Sequence, residues 1–146
     1  MAVVDKFDIP TSKCAGPQGM AIGPVKDILL GCNAKGPPVV NGVGTGPQNA
    51  AIIKQNNGTI IAVLDNLGGA DEVWFNPGDG HYFLADSSNA AGPVLGVVDA
   101  KSHQADQTVS GISTGSHSVA ADPNLNLVFV PVPNGVNVYA PGGPED

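Results

Sequence analysis

GADEVWFNPGDGHYFLADS, residues 69–87, joins two apolar runs through a glycine-rich turn. Pro77 ends the first run, because a residue without a backbone N–H cannot pair inside a sheet, and Gly78-Asp79-Gly80 provides a turn between two strands. Similar stretches occur at 17–33 (PQGMAIGPVKDILLGCN) and at 116–132 (SHSVAADPNLNLVFVPV). The chain therefore contains three copies of one unit, and this repetition determines the fold.

The three copies align without gaps on Pro24, Pro77 and Pro123, which are 53 and 46 residues apart. An apolar residue stands four positions before each proline, and a second apolar run lies five to seven positions after it. Repeats of this length are typical of β-propellers, in which each unit is a four-stranded blade.

Short apolar runs separated by Gly, Pro and Asn-Gly predict four antiparallel strands in each unit and an all-β chain. The predicted blades cover residues 2–58, 59–103 and 104–142 of a single domain. The first blade begins with AVVDKFDI (2–9), the second with TIIAVLDNLG (59–68) and the third with QTVSGIST (107–114). No helix is predicted, because no apolar periodicity of 3.6 residues survives between the glycines and prolines.

The unit resembles the blade repeat of the NHL, YVTN and SMP-30/gluconolactonase-like β-propellers. The shared pattern is a glycine, an apolar residue four positions later, a proline four positions after that, a turn, and a strand ending in Asn or Asp. It covers about residues 3–141, nearly the whole chain. The resemblance implies a propeller and leaves the activity open, because propeller families share blades and differ in chemistry.

Three blades do not make a closed ring, since propellers close with about four to eight blades. Each end of the row would leave an apolar blade face in water. We therefore expect this chain to be half a ring, completed by a second copy as a six-bladed homodimer. The alternative is that the chain is part of a longer propeller.

The charge balance argues against several kinds of partner. The chain has a net charge of −7, no arginine and six lysines scattered along its length. Nucleic acids and anionic membrane surfaces would meet no basic patch. No apolar run approaches the roughly 18 residues that a membrane helix needs, and MAVVDKFDIP has none of the features of a signal peptide.

Polar residues recur at two positions of the repeat that a propeller places at one rim, six residues before the proline and nine after it. Asp and Asn at strand ends commonly cap turns, which is one interpretation of these positions. The other is a ligand or metal site at the mouth of the channel. Its candidate residues are Gln18, Asn33, Asp71, Asp86 and His117.

The resemblance makes the metal interpretation more specific. SMP-30-like propellers carry a metal-binding Glu in the motif EGPxWDP, and Asp71 in DEVWFNP stands at the matching position. The implied metal is Ca²⁺ or Mg²⁺, held by oxygen ligands, which polarises an ester carbonyl and activates water. A lactonase-like hydrolase would then use Asp71, Asp86 and Asn33 as metal ligands.

Cys14 and Cys32 both fall at strand ends on this rim, in the first blade, so the predicted geometry permits a disulfide between them. A disulfide would suit an exported protein, periplasmic or extracellular, and two buried thiols would suit a cytosolic one. The sequence leaves the compartment open between these two.

Three functional hypotheses follow. The leading one is a non-enzymatic propeller module that binds a small ligand or a protein at the channel mouth, because no catalytic motif is recognisable. The histidines lack the spacing of a zinc site, and no serine lies in a G-x-S-x-G elbow. The alternatives are the metal-dependent hydrolase and a structural assembly unit that uses its open blade faces.

Overall fold

A computed structural model describes residues 1–140. Within this range the chain is all-β, and no helix is present that could cross a membrane. The strands are β1 (Ala15–Ile22), β2 (Asp27–Ala34), β3 (Val39–Val40), β4 (Val43–Gly44), β5 (Asn49–Lys54), β6 (Ile60–Asp65), β7 (Val73–Asn76), β8 (His81–Asp86), β9 (Val94–Asp99), β10 (Gln104–Val109), β11 (Ala120–Asp122), β12 (Leu127–Val132) and β13 (Gly135–Tyr139).

These strands form three antiparallel sheets that follow one another along the chain. Sheet 1 has the order β1-β2-β5-β6, sheet 2 the order β7-β8-β9-β10, and sheet 3 the order β11-β12-β13. The short strands β3 and β4 form a separate ribbon inserted between β2 and β5. In each sheet the first two strands form the hairpin that the repeat predicted. The repeated proline lies in the turn of each hairpin: Pro24 between β1 and β2, Pro77 directly after β7, and Pro123 directly after β11.

The predicted assignment of the outer strands was wrong. Residues 2–9 form no strand, β6 pairs with β5 and not with β7, and β10 pairs with β9. The short turns at 55–59 and 100–103 cause this, because a short turn places consecutive strands side by side as a hairpin. Asn57 accepts a hydrogen bond from the backbone of Thr59 in one turn, and Asp99 accepts one from Lys101 in the other.

Sheet 3 consequently has three strands within the described residues, whereas the other two have four. Residues 141–142, the end of the third predicted blade, lie outside the described residues. The three sheets do not close into a ring.

The sheets lie face to face in a row, and a core fills each space between neighbours. Leu29, Ile52, Tyr82 and Leu84 belong to the core between sheets 1 and 2. Phe83, Val97, Val128 and Val130 belong to the core between sheets 2 and 3. The first strands β1, β7 and β11 are neighbours along one side of the row.

A third apolar cluster covers the outer face of sheet 1. It contains the disulfide between Cys14 and Cys32, together with Leu30, Ala51 and Ile53. Phe7 and Ile9 of the leading segment pack on this cluster, so its central residues are buried.

Candidate functional site

Four of the five predicted site residues come together at one end of the sheets. Gln18 lies in β1, Asn33 lies near the end of β2, Asp71 lies two residues before β7, and His117 lies three residues before β11. Sheet 1 therefore contributes two side chains, and the segments that enter sheets 2 and 3 contribute one each. The connections that lead into the first strands and the ends of the second strands meet here, as the alignment of the repeats predicted.

These side chains form a continuous hydrogen-bonded row, which we call the rim row (Gln18, Asn33, Asp71, His117). The Asn33 Nδ2 amide donates to Gln18 Oε1 at 2.8 Å and to Asp71 Oδ1 at 2.7 Å. The second oxygen of Asp71 accepts a hydrogen bond from His117 Nδ1. The row thus links sheet 1 through Asp71 to the segment that enters sheet 3.

Gly19 allows sheets 1 and 2 to approach each other at the rim row. A Cβ atom at this position would lie 2.7 Å from the backbone carbonyl oxygen of Asp71 and 2.7 Å from the Cα of Glu72. Such contacts are far shorter than real side chains tolerate, so only glycine permits this separation. The close approach keeps Asn33 within hydrogen-bond distance of Asp71.

His117 directs one ring nitrogen into the row, and its side chain is more than half exposed. Nδ1 faces both Asp71 and the hydroxyl of Ser87, whose Oγ lies 3.4 Å away. No side chain within residues 1–140 hydrogen bonds to Nε2, and 58% of the side chain is exposed, so this nitrogen is available to a ligand. A serine hydrolase triad requires the acid and the serine on opposite ring nitrogens, which is not the arrangement here.

Asp86, the fifth predicted residue, is not part of the rim row. It is fully buried at the end of β8, and neither carboxylate oxygen has a hydrogen-bond partner within the described residues. Its Oδ2 occupies the space that a side chain at Gly96 would need, 2.8 Å from the position of that missing Cβ. Burial raises the pKa of Asp86 to about 8, so the carboxyl is mainly protonated at neutral pH.

The rim row does not have the donor set of a Ca²⁺ or Mg²⁺ site. Ca²⁺ takes six to eight oxygen ligands, and the row offers one carboxylate, already bonded to Asn33 and His117, together with amide oxygens. No group of three or more His, Cys, Asp or Glu side chains within residues 1–140 is arranged to hold a metal ion. The predicted ligand Asp86 is buried away from the row, so the predicted set of metal ligands does not come together.

Sequence reasoning missed a second polar cluster, at the opposite end of sheets 1 and 2. Asp27 is fully buried, and its carboxylate contacts Lys54 Nζ at 2.9 Å and His103 Nε2 at 2.8 Å. The Tyr82 hydroxyl donates to the backbone carbonyl of Asp27, and burial together with this carboxylate raises the pKa of Tyr82 to about 12. These residues lie far apart in the sequence and share no motif, so no pattern could have predicted their contact.

A surface depression of about 510 Å³ lies at this opposite end, lined by Val25, Lys26, Lys54, Gln55 and Asn56. The ammonium group of Lys54 is already paired with Asp27 there. The depression offers no carboxylate or imidazole of its own. We therefore assign the candidate site to the rim row, which gathers polar groups from three sheets.

Comparison with known proteins supports the all-β fold and identifies no family for this chain. The sequence matches no protein-family model, and a comparison with curated proteins finds no match. Among solved structures, the chain is similar to hydrazine synthase from Kuenenia stuttgartiensis, with a TM-score of 0.65 and 11% sequence identity. The match covers 97% of this chain and 37% of that one, so this chain spans little more than a third of its length. The similarity shows a shared all-β fold, and the resemblance to the NHL and SMP-30-like families stays a prediction.

Proposed function

We propose that this chain is a non-enzymatic β-propeller module that binds a small polar molecule at the mouth of a channel. The three sheets are three blades of half a ring, and a second copy supplies the other half. The observation that carries the proposal is the rim row, in which side chains attached to three successive sheets meet at one end of the first strands.

Two features of the sheets support their interpretation as blades. Each is a meander of consecutive strands, apart from the ribbon inserted in sheet 1, and apolar cores fill the spaces between neighbouring sheets. The first strands β1, β7 and β11 lie next to one another. In a ring, these strands would surround the axis and the rim row would lie around the channel mouth.

The chemistry of the rim row favours a ligand that donates hydrogen bonds. Asp71 and Gln18 offer oxygen acceptors, and the Nε2 of His117 accepts when the ring is neutral. The chain's charge of −7 disfavours anions and favours neutral or cationic molecules. Met20 and Trp74 lie on the neighbouring strands β1 and β7, two residues after Gln18 and three after Asp71, and their exposed side chains offer apolar surface.

A thermal-unfolding screen tests the proposal. The wild-type chain is heated with a panel of polyols, monosaccharides, primary amines and lactones, and with Ca²⁺ and Mn²⁺ alone. A compound that binds the native state raises the melting temperature by mass action. We expect at least one polyol, sugar or amine to do so, and the shift to disappear in Asp71→Asn and in Asn33→Ala.

Asp65→Asn is the matched control, because Asp65 is an exposed carboxylate on the outer strand β6. A shift that persists in Asp71→Asn, or a panel with no shift sensitive to this substitution, would remove the basis of the proposal. A shift produced by Ca²⁺ or Mn²⁺ alone and lost in Asp71→Asn would replace it with the metal-dependent alternative.

A further inference from the structure

Within residues 1–140, sheet 3 has no counterpart of the outer strand that its two neighbours possess. In sheets 1 and 2 the outermost strands β6 and β10 lie near each other. Within residues 1–140 no strand pairs with the outer edge of β13, the outermost strand of sheet 3. As far as residue 140, this edge therefore presents backbone N–H and C=O groups that can pair with another strand.

The outward face of sheet 3 is also apolar, and no other segment of residues 1–140 covers its valines. Alternate residues of β12 point into the core shared with sheet 2, so Phe129 and Pro131 lie on the opposite face. Val138 pairs with Phe129 and Val136 pairs with Pro131 in the register of β12 and β13. Cross-strand partners share one face, and the two valines are 55% and 58% exposed. An apolar face of this kind marks an association surface.

The outer face of sheet 1, at the other end of the row, is covered by residues 1–13, which we call the arm. Phe7 and Ile9 of the arm pack on the apolar cluster around the disulfide. The arm joins β1 next to Cys14, and the ring of Phe7 lies against Gly58 in the turn between β5 and β6. It therefore crosses the face from the first strand of sheet 1 to its outer hairpin.

The arm has the sequence of a strand but does not form one. AVVDKFDI, residues 2–9, contains apolar residues with high strand propensity, which is why the sequence predicts that it opens the first blade. Val3 and Val4 are 88% and 98% exposed. The side chains of Phe7 and Ile9 hold the arm to sheet 1. The N–H of Lys6 donates to Asp5 Oδ1, and no backbone group of residues 2–9 pairs with a strand of the described residues.

We infer that the arm of one copy pairs with β13 of a second copy and becomes the fourth strand of its third sheet. The inference rests on the proposed ring, in which the outer face of sheet 3 meets the outer face of sheet 1 of the second copy. The arm already crosses that face toward the outer hairpin, so residues 2–9 lie where the edge of the partner's β13 arrives. When the arm moves onto this edge, Leu30, Ala51 and Ile53 receive Phe129, Val136 and Val138 of the second copy. Two equal contacts of this kind close the ring.

Crosslinking between two variants that each carry one added cysteine tests the pairing. Full-length Val4→Cys is mixed with full-length Val138→Cys, equilibrated, and treated with a short bismaleimide, while the native disulfide stays intact. We expect a crosslinked heterodimer in this mixture, at least roughly tenfold more abundant than with Lys101→Cys in place of Val138→Cys, because pairing raises the effective concentration. Lys101 is the matched control, since it is exposed in a turn of sheet 2. Neither variant alone should crosslink efficiently.

The molecular mass in solution, measured by light scattering, separates the two proposals. A dimer that crosslinks through Val138→Cys supports both the ring and the arm exchange. A dimer in which Val138→Cys crosslinks no better than Lys101→Cys overturns the exchange and leaves the ring standing. A stable monomer overturns both. As an independent check, Val138→Lys should convert the dimer to monomer, and Val43→Lys should not, because the exposed Val43 lies in the β3–β4 ribbon.

Discussion

Asp27 and Asp86 are both fully buried, at opposite ends of the sheets, and their surroundings differ in one respect. Asp27 has a lysine and a histidine within 3 Å of its two oxygens. Asp86 has no partner within the described residues, and burial raises its pKa to about 8. The two carboxyl groups are equally buried, but only Asp27 has side-chain partners that offset the loss of water.

The largest effect is expected from removing the charge at the partnered site. Asp27→Asn leaves Lys54 and His103 facing a neutral amide between sheets 1 and 2. Breaking a buried charge pair typically costs about 3–5 kcal/mol, and the partial exposure of Lys54 reduces this to about 3 kcal/mol. Urea unfolding at pH 7 measures the change. The control Asp65→Asn should stay within about 0.5 kcal/mol, and an equal loss in both variants would contradict the special role of Asp27.

Removing the charge of Asp86, which has no partner within the described residues, is expected to change stability in the opposite direction. The folded pKa of Asp86, about 8, lies above the ordinary value of 3.8, so the folded state binds this proton more tightly than the unfolded state. Its contribution to stability is therefore full below about pH 4 and is lost as the pH rises toward 8. Asp86→Asn should therefore gain stability relative to the wild type between pH 5 and pH 9, by at least about 2 kcal/mol, because an amide needs no proton.

Urea unfolding of wild type and Asp86→Asn at pH 5, 7 and 9 measures this difference. Other titrating groups act on both proteins, so the difference between the two free energies of unfolding isolates Asp86. A difference that is constant from pH 5 to pH 9 would show that the carboxyl is already ionised in the fold.

The space around Asp86 gives the next prediction. A methyl group at Gly96 would approach Asp86 Oδ2 to 2.8 Å, so Gly96→Ala should cost about 2 kcal/mol through overpacking. In an Asp86→Ala background the clash disappears, and the same substitution should cost at least about 1 kcal/mol less. Gly135→Ala is the control, because nothing lies within 4 Å of the Cβ it adds. Additive effects in the double variant would mean that the two positions do not touch.

The smallest effect on stability is expected from substituting Lys54, the lysine that pairs with Asp27. Lys54→Met removes the ammonium and keeps a side chain of similar length, and the contact of Asp27 with His103 Nε2 survives. Because Lys54 is 42% exposed and its ion pair is partly screened by water, we expect a loss of about 1 kcal/mol. Lys101→Met should change stability by less than about 0.5 kcal/mol. If 1 M NaCl leaves the difference between the two variants unchanged, the contribution of Lys54 is not electrostatic.

The repeated hairpin and the turn residues could be predicted from the sequence, because apolar alternation and Gly or Pro act locally. The alignment of the repeats also places Gln18, Asn33, Asp71 and His117 at one end without knowledge of any contact. It failed for Asp86, which is equivalent to Asn33 in the repeat. Asn33 faces the rim and Asp86 is buried, because Gly96 on the neighbouring strand leaves room for the carboxyl. A repeat aligns positions along the chain and carries no information about the side chain that lies opposite.

The sheets that the outer strands β6 and β10 join were harder to predict than the rim row. TIIAVLDNLG and QTVSGIST were recognisable as strand sequences, but alternation alone does not say which sheet a strand joins. The lengths of the turns before and after them decided this. The sequence pattern also does not predict the contact between Asp27 and His103, 76 residues apart, because it exists only once sheets 1 and 2 pack together.

Because each sheet is built from consecutive strands, it can form as soon as its own segment has left the ribosome. Hairpin contacts have short sequence separations, and chains rich in such contacts fold fast. Sheet 1 and its disulfide can therefore be complete before sheet 3 has been synthesised, and each new sheet is laid on a surface that already exists. The order of synthesis along the chain would then also be the order of assembly, from the disulfide-linked sheet to the three-stranded one.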